Sequence, residues 1–418
     1  MSGLLACVDI GSTWTKAALV ELPAGRLVAT RQAPTTPGDV VSGVLSATAG
    51  WDAPVRACSS AGGGLRLAVV GYEELISAEA GHRAALSAGA RVVHVAAGRL
   101  GEAGLAALAE AAPDVVLLVG GTDGGESGVL LHNAAALAAG LRVPVVVAGN
   151  VAVQEEVLTL LAGLPVTVAD NVLPDIGRLA PESARAAIRE VFLTHVIGGD
   201  RLSTDPRLRQ WVRAVTPDAV LDGVAALARL RADADVPGVL VLDVGGATTD
   251  VHCVPVADAE QSTLQQSAVG VPARRRTVEG DLGVMASADA LRAAAAAEGL
   301  APPGTEQPGN GPLALGETAA VVALRRHLRA EAGYGPGGAS ARGVGLVVLS
   351  GGVFRHADPA DVAAVVQRVA ADRGGAGGVL TGTQVVVDRA YVLAAAGLLA
   401  GDQPEAAAGL LRELLSPP

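Results

Sequence analysis

Three short stretches of this sequence carry residue types and spacings suited to handling a phosphate chain. The first is Asp9-Ile-Gly-Ser-Thr-Trp-Thr-Lys16. An apolar run delivers a carboxylate, a small-residue turn exposes backbone N–H groups and hydroxyls, and the next run opens with an ammonium. A triphosphate needs these parts: N–H donors in a concave turn at Gly11, the Ser12 and Thr13 hydroxyls for phosphate oxygens, Lys16 as a compact point charge, and Asp9 to hold hydrated Mg2+. Alone, such a motif can equally be an ordinary hairpin whose Gly-Ser merely turns the chain. The second stretch, Leu242-Asp-Val-Gly-Gly-Ala-Thr-Thr-Asp-Val251, repeats the plan with Asp243, a Gly245-Gly246 turn, the hydroxyls of Thr248 and Thr249, and Asp250. Two copies about 230 residues apart imply a duplicated domain whose hairpins grip a phosphate chain from opposite sides, with a metal between them. The third, Leu349-Ser-Gly-Gly-Val-Phe354, runs from a buried strand through Gly351 and Gly352 into a helix, where glycines let backbone approach a flat ligand closely.

The elements that must position these residues follow from periodicity. Leu4–Asp9, Lys16–Leu22 and Arg26–Gln32 read as a meander of strands, and a helix around Val40–Thr48 follows. From Arg66 to about Val168, buried runs at Leu67–Val70, Val92–Ala96, Val115–Val119, Val143–Ala148 and Val166–Val168 alternate with Ala-rich helices, which predicts a parallel sheet. Glu182–His195 is helical, and the Arg-rich segment Gly198–Asp235 reads as short helices joining two halves. A second meander begins with Gly238–Asp243 and Asp250–Pro255. Helices at Ala286–Ala297 and Thr318–Ala330, a strand Gly345–Leu349, a helix Pro359–Ala370, a strand Gln384–Val387 and a helix Arg389–Leu399 complete it. Ala257–Arg276 and Ala301–Pro312 read as loops. The expected domains are 1–61 and 62–200 for the first half with an α/β insertion, 201–237 for linker helices, 238–402 for the second half, and 403–418 for a C-terminal helix or tail.

Composition narrows the function classes. At 418 residues the chain is long enough for two or three domains, and its 50% hydrophobic but only 2% aromatic content favours Ala, Val and Leu packed as helices on sheets. A net charge of −11 disfavours nucleic acid and acidic membrane surfaces as partners. Cys7, Cys58 and Cys253 form no CxxC pair, and seven scattered histidines show no metal spacing. No apolar run approaches the ~20 residues of a spanning helix, and the N-terminus lacks signal-peptide character, so the cytoplasm is the expected location. Lys16 is the chain's only lysine, which suggests a place where an ammonium rather than a guanidinium is needed. Neither GxxxxGK[ST] nor an early GxGxxG is present, which disfavours P-loop and Rossmann sites.

The order of the three phosphate motifs resembles the superfamily of actin, sugar kinases and the seventy-kilodalton heat-shock chaperones. That resemblance implies two RNase-H-like α/β halves with ATP in the cleft, Asp9 and Asp243 flanking Mg2+, and Gly351 and Gly352 lining the nucleoside. Within it, Cys58–Arg66, Leu117–Gly125, Val147-Ala-Gly-Asn150, Asp170–Pro174 and Arg276-Thr-Val-Glu-Gly-Asp-Leu-Gly283 resemble the glutamate mutase L (MutL) family, accessory proteins of adenosylcobalamin-dependent mutases. This implies adenosylcobalamin-dependent mutase subunits as partners and an ATP-driven reactivating chaperone that removes damaged cobalamin. It leaves a homo-oligomer open.

Several alternatives stand beside these readings. Thr122 and Asp123, in Gly120-Gly-Thr-Asp-Gly-Gly125, sit either at a ligand site or in a tight strand-to-helix turn. Cys58–Gly64 reads as a hinge rather than a second anion nest. Glu279 can orient an attacking water, while nearby Asp281 can equally cap the next helix. A small-molecule kinase, a filament-forming actin homologue or a nucleotide-dependent binding module without turnover would use the same fold; slow ATP hydrolysis coupled to lobe closure is the expected activity.

Overall fold

A computed structural model describes residues 3–61, 65–73, 78, 80–81, 84–85, 90–197, 202–236, 238–254, 274–300, 311–332, 344–372 and 383–415. The chain begins with the antiparallel meander β1 (Gly3–Ile10), β2 (Trp14–Leu22) and β3 (Arg26–Pro34), and then helix α1 (Val40–Ala47). Strand β4 (Val55–Ser59) lies parallel to β1 on its other side. The chain then leaves this sheet for an inserted one: β5 (Arg66–Gly71), β6 (Arg91–Ala97), α2 (Glu102–Glu110), β7 (Val115–Leu118), α3 (Gly128–Gly140), β8 (Val145–Val147), α4 (Gln154–Leu160) and β9 (Val166–Val168). All its pairings are parallel and its order is β6-β5-β7-β8-β9, a doubly wound arrangement with its switch point between β5 and β7. After α5 (Glu182–Val191) and α6 (Arg207–Trp211), the chain returns as β10 (Val212–Val215), parallel to β4, to close the first sheet as β3-β2-β1-β4-β10.

Helix α7 (Thr216–Leu230) then leads into a second sheet that repeats the first strand for strand. The meander β11 (Gly238–Val244), β12 (Thr249–Val254) and β13 (Arg275–Glu279) is antiparallel, α8 (Ala288–Ala297) and α9 (Gly311–Ala332) follow, and β14 (Val344–Ser350) lies parallel to β11. After α10 (Gly352–Arg355) and α11 (Pro359–Ala371), β15 (Gln384–Val387) lies parallel to β14, giving β13-β12-β11-β14-β15; α12 (Val392–Leu399) and α13 (Pro404–Leu415) end the chain. Two sheets of identical order and sense are the duplicated RNase-H-like plan expected from the repeated hairpin. The insertion sits between the fourth and fifth strands of the first copy, where the described residues of the second copy form α10 and α11.

The central strands β1, β11 and β14 are apolar on both faces because both faces are covered. Between the two sheets lies a layer of α7, α12 and α13, with Val220, Val224, Leu393 and Leu410 packed against Cys7, Val241 and Val348. Ala-rich surfaces let this layer run close. At the crossing of α7 and α12 the backbones nearly touch: a Cβ on Gly397 would lie 1.7 Å from the carbonyl oxygen of Ala219, and one on Gly223 2.1 Å from that of Leu393. The first sheet's outer face packs with α1, α5 and the inserted sheet, and the second's with α8, α9 and α11.

Three segments differ from the sequence expectation. Residues 201–237, read as linker helices, hold β10 and the 15-residue α7, so the segment completes the first sheet and starts the central layer. Strand β13 lies at the end of the segment read as the loop Ala257–Arg276; its charged Arg275-Arg-Thr-Val-Glu279 conceals a strand whose pairing with β12 is set by the meander. Helix α9 is longer than Thr318–Ala330 because it starts at Gly311. The rest of both predicted loops lies outside the described residues.

Candidate functional site

The two hairpin turns are built alike. Gly11 N donates to the Trp14 carbonyl at 3.1 Å and Gly245 N to that of Thr248 at 2.9 Å, so each Asp-x-Gly turn closes at the same position. Strand register then places Lys16 beside Asp9 and Asp250 beside Asp243. On the other flank, β4 sets Cys58 beside Asp9, and β14 sets Ser350 beside Asp243. Both turns open onto one cleft of ≈ 1060 Å³ between the halves, and residues Ala90 and Val92 of the insertion also line it. The tips approach closely, with Thr13 Oγ1 3.6 Å from where a Cβ on Gly246 would stand.

The cleft brings together Asp9, Gly11, Ser12, Thr13, Lys16, Asp243, Gly245, Gly246, Thr248 and Gly352 among the residues singled out from sequence. Three others point elsewhere. Thr249 is fully buried and donates from Oγ1 to the Leu282 carbonyl at 2.7 Å, because strand alternation turns it away from the face that carries Asp250. Glu279 lies between Val278 and Gly280, which line the cleft, and its own side chain takes a hydrogen bond from Arg326 Nη1 at 2.7 Å. The same guanidinium forks onto Asp281 at 2.7 and 2.9 Å, holding that carboxyl below its usual range. Gly351 is buried behind the wall, with φ of 125°.

Asp9 is 7% exposed and well partnered: Thr216 Oγ1 donates to its Oδ1 at 2.6 Å, Cys58 Sγ lies 3.7 Å from the same oxygen, and Lys16 Nζ is 3.4 Å from Oδ2. Asp243 differs. Its Oδ1 is buried and has no hydrogen-bond partner, and burial, opposed by Lys16 and reinforced by Asp250, pushes its carboxyl up to about 6. Asp250 is held by Arg276, whose Nε and Nη2 donate to its Oδ1 at 3.1 and 2.6 Å. Lys16 Nζ also sits 3.7 Å from the centroid of the Tyr391 ring. Burial alone works against the ammonium, but Tyr391, Asp9 and Asp243 outweigh it and hold Lys16 above the ordinary lysine range.

Mg2+ commonly takes one or two protein carboxylates and completes its octahedron with water and phosphate oxygens. The unpartnered buried oxygen of Asp243, a residue that lines the same cleft as Asp9, fits that donor set. Among the described residues no group of three or more His, Cys, Asp or Glu side chains gathers to cage an ion.

Sequence reasoning missed Thr216, Tyr391 and Arg276, which reach the site from β10–α7, β15–α12 and β13. Arg276 opens one of the stretches that resemble the MutL family, whereas Thr216 and Tyr391 had only their position at the start of a helix as a sign. Elsewhere, Asp123 is held by the loops that follow β8 and β9. Its Oδ1 accepts from Val151 N at 3.2 Å and Asn171 Nδ2 at 2.8 Å, while Asn150 Oδ1 accepts from Gly124 N and Ala152 N, both at 3.0 Å. That favours the tight-turn reading of Gly120–Gly125. Residues 62–64 of the Cys58–Gly64 hinge lie outside the described residues.

Duplicated RNase-H-like sheets with an Asp-Gly hairpin from each facing one cleft define the actin-like ATPase fold. A family model described as MutL protein matches residues 5–311 and 302–415, and Protein MutL of Clostridium tetanomorphum is 31% identical over 462 residues, covering 98% of each chain. The chain belongs to the MutL family. Looser likenesses in fold include a nucleotide-free acetone carboxylase (14% identity, TM-score 0.41, 96% of this chain and 71% of that one). A glycerol dehydratase reactivase is another (13%, TM-score 0.36, 96% and 100%). Among the described residues no helix is long and apolar enough to cross a membrane.

Proposed function

We propose that this protein binds Mg·ATP between its two hairpins and hydrolyses it slowly, as an accessory factor that reactivates an adenosylcobalamin-dependent mutase. The observation that supports the site most strongly is the pair of matching hairpins on one cleft, one carrying Lys16 and the other Asp243, whose buried Oδ1 has no hydrogen-bond partner. In this reading the N–H groups of both turns and the hydroxyls of Ser12, Thr13 and Thr248 take phosphate oxygens. Lys16 offsets charge on the transferred phosphoryl group. Asp243, with Asp9 opposite, holds the hydrated metal, which when bound neutralises phosphate charge. Gly352 lies against the nucleoside. Asp250, on the cleft wall and oriented by Arg276, is better placed than Glu279 to orient the attacking water, because Glu279 reaches the cleft only if Arg326 releases it.

The mutase partner rests on family membership and the matching stretches of the insertion. A mutase inactivated by turnover is incubated with this protein, ATP and fresh cofactor, with Asp243→Asn as control. Recovery with the wild-type chain alone, accompanied by phosphate release, supports the reading. Phosphate transfer to a metabolite instead of water would replace it with the kinase reading, and no recovery would remove the mutase role.

A further inference from the structure

Tyr391 is absent from all three phosphate motifs, yet it lines the cleft. It directly precedes α12 with φ 61° and ψ 43°, a left-handed backbone that a bulky aromatic residue adopts at a cost. The neighbouring structure imposes it. Asp388, 1% exposed, accepts from Val392 N at 3.0 Å and Leu393 N at 3.2 Å, which pins the start of the helix and turns the Tyr391 side chain toward the opposite half. There its ring meets Lys16 of β2, with Nζ 3.7 Å from the centroid, and Arg355 of α10 stands 5.8 Å from the same ring. Arg355 also crosses between the halves, donating to Thr30 Oγ1 at 3.2 Å.

The Lys16 ammonium already donates to Asp9 Oδ2 at 3.4 Å, and a further carboxylate contact would spend the rest of its charge. An aromatic face attracts the cation without carrying a countercharge, and that attraction strengthens as water is displaced. We propose that Tyr391 is a positioning residue for Lys16: the second half holds the first half's ammonium on the cleft wall, with charge still available to an entering phosphate chain. The inference rests on the ATP reading above and adds to it a cross-half contact that would sense the phosphates through Lys16. The strain at Tyr391 is then what keeps the ring under the ammonium.

The test is a double-mutant cycle on the full chain, read as Mg·ATP affinity by titration calorimetry. Tyr391→Leu is expected to weaken binding roughly tenfold, and Tyr391→Phe, which keeps the ring, to recover most of that loss. In a Lys16→Met background Tyr391→Leu should have no further effect. If Tyr391→Leu does not fold, Tyr391→Asn, a residue at ease in the left-handed conformation, takes its place with the same expectations. An undiminished effect in the Lys16→Met background would mark Tyr391 as merely structural and overturn the inference, as would wild-type affinity in the Leu or Asn variant. A wild-type chain that binds no Mg·ATP overturns the ATP reading itself, a result distinct from either.

Discussion

Asp9 and Asp243 occupy equivalent places in the two halves, but their neighbours differ in sign. Register gives Asp9 a lysine and Asp243 a second aspartate, so one wall of the cleft suits phosphate oxygens and the other suits a cation. Lys16→Met should therefore weaken ATP binding with or without Mg2+, whereas Asp243→Asn should abolish only the Mg2+-dependent part. Calorimetry with Mg2+ and with a chelator separates the two. Deeper in the second half, burial holds His327 down at about 3 and His252 well below the usual histidine range. A histidine depressed in the folded state stabilises fully above its unfolded value near 6.5, and that stability is lost as pH falls toward its folded value. Stability should thus fall between about pH 6.5 and 3 by about 1.4 kcal/mol per pH unit through His327, and His252 adds to the loss in the same direction as pH falls below about 6.5. Urea unfolding across this range should show a shallower slope for His327→Gln. Lys16 and the hairpin aspartates were legible in the sequence because turn chemistry is local. Tyr391, Thr216 and Arg276 were not, because strands and helices distant in the chain bring them in.

At the scale of elements, the β14–α10 turn separates fold from ligand. A Cβ on Gly351 would lie 2.2 Å from the Val244 carbonyl oxygen, and its φ of 125° disfavours any side chain; at Gly352 the nearest atom would be His356 Cδ2 at 3.9 Å. Gly351→Ala should cost about 2–4 kcal/mol of stability, visible in denaturant unfolding, while Gly352→Ala should fold normally and change only nucleotide affinity. Strands with continuous apolar runs, such as Val115–Leu118 and Gly238–Val244, could be read directly. Strand β13 could not, since its charged side chains serve the cleft and α9, and only its pairing with β12 makes it a strand. Strand β10, Val-Arg-Ala-Val, is too short to show a period and is defined by β4.

The two halves meet across α7 and α12, whose backbones cross through Gly223 and Gly397. Neither glycine was visible as a contact in the sequence, although the duplication that demands a central layer was. Gly397→Ala would force the helices apart and should cost on the order of 3 kcal/mol, measurable as a lower urea midpoint. Other ties span the chain, among them the two-pronged Arg56–Asp402 pair at 2.6 and 2.8 Å, so the halves are joined at several points around the helix crossing. The single lysine has a consequence for the molecule as a reagent. Acylating esters react with free amines, and the only side-chain amine here is kept protonated by Tyr391, Asp9 and Asp243. The folded chain should resist acylation at Lys16 and accept it once denatured, so an acyl group on the peptide that carries Lys16, counted apart from any on a terminal amine, becomes a counter of unfolded molecules.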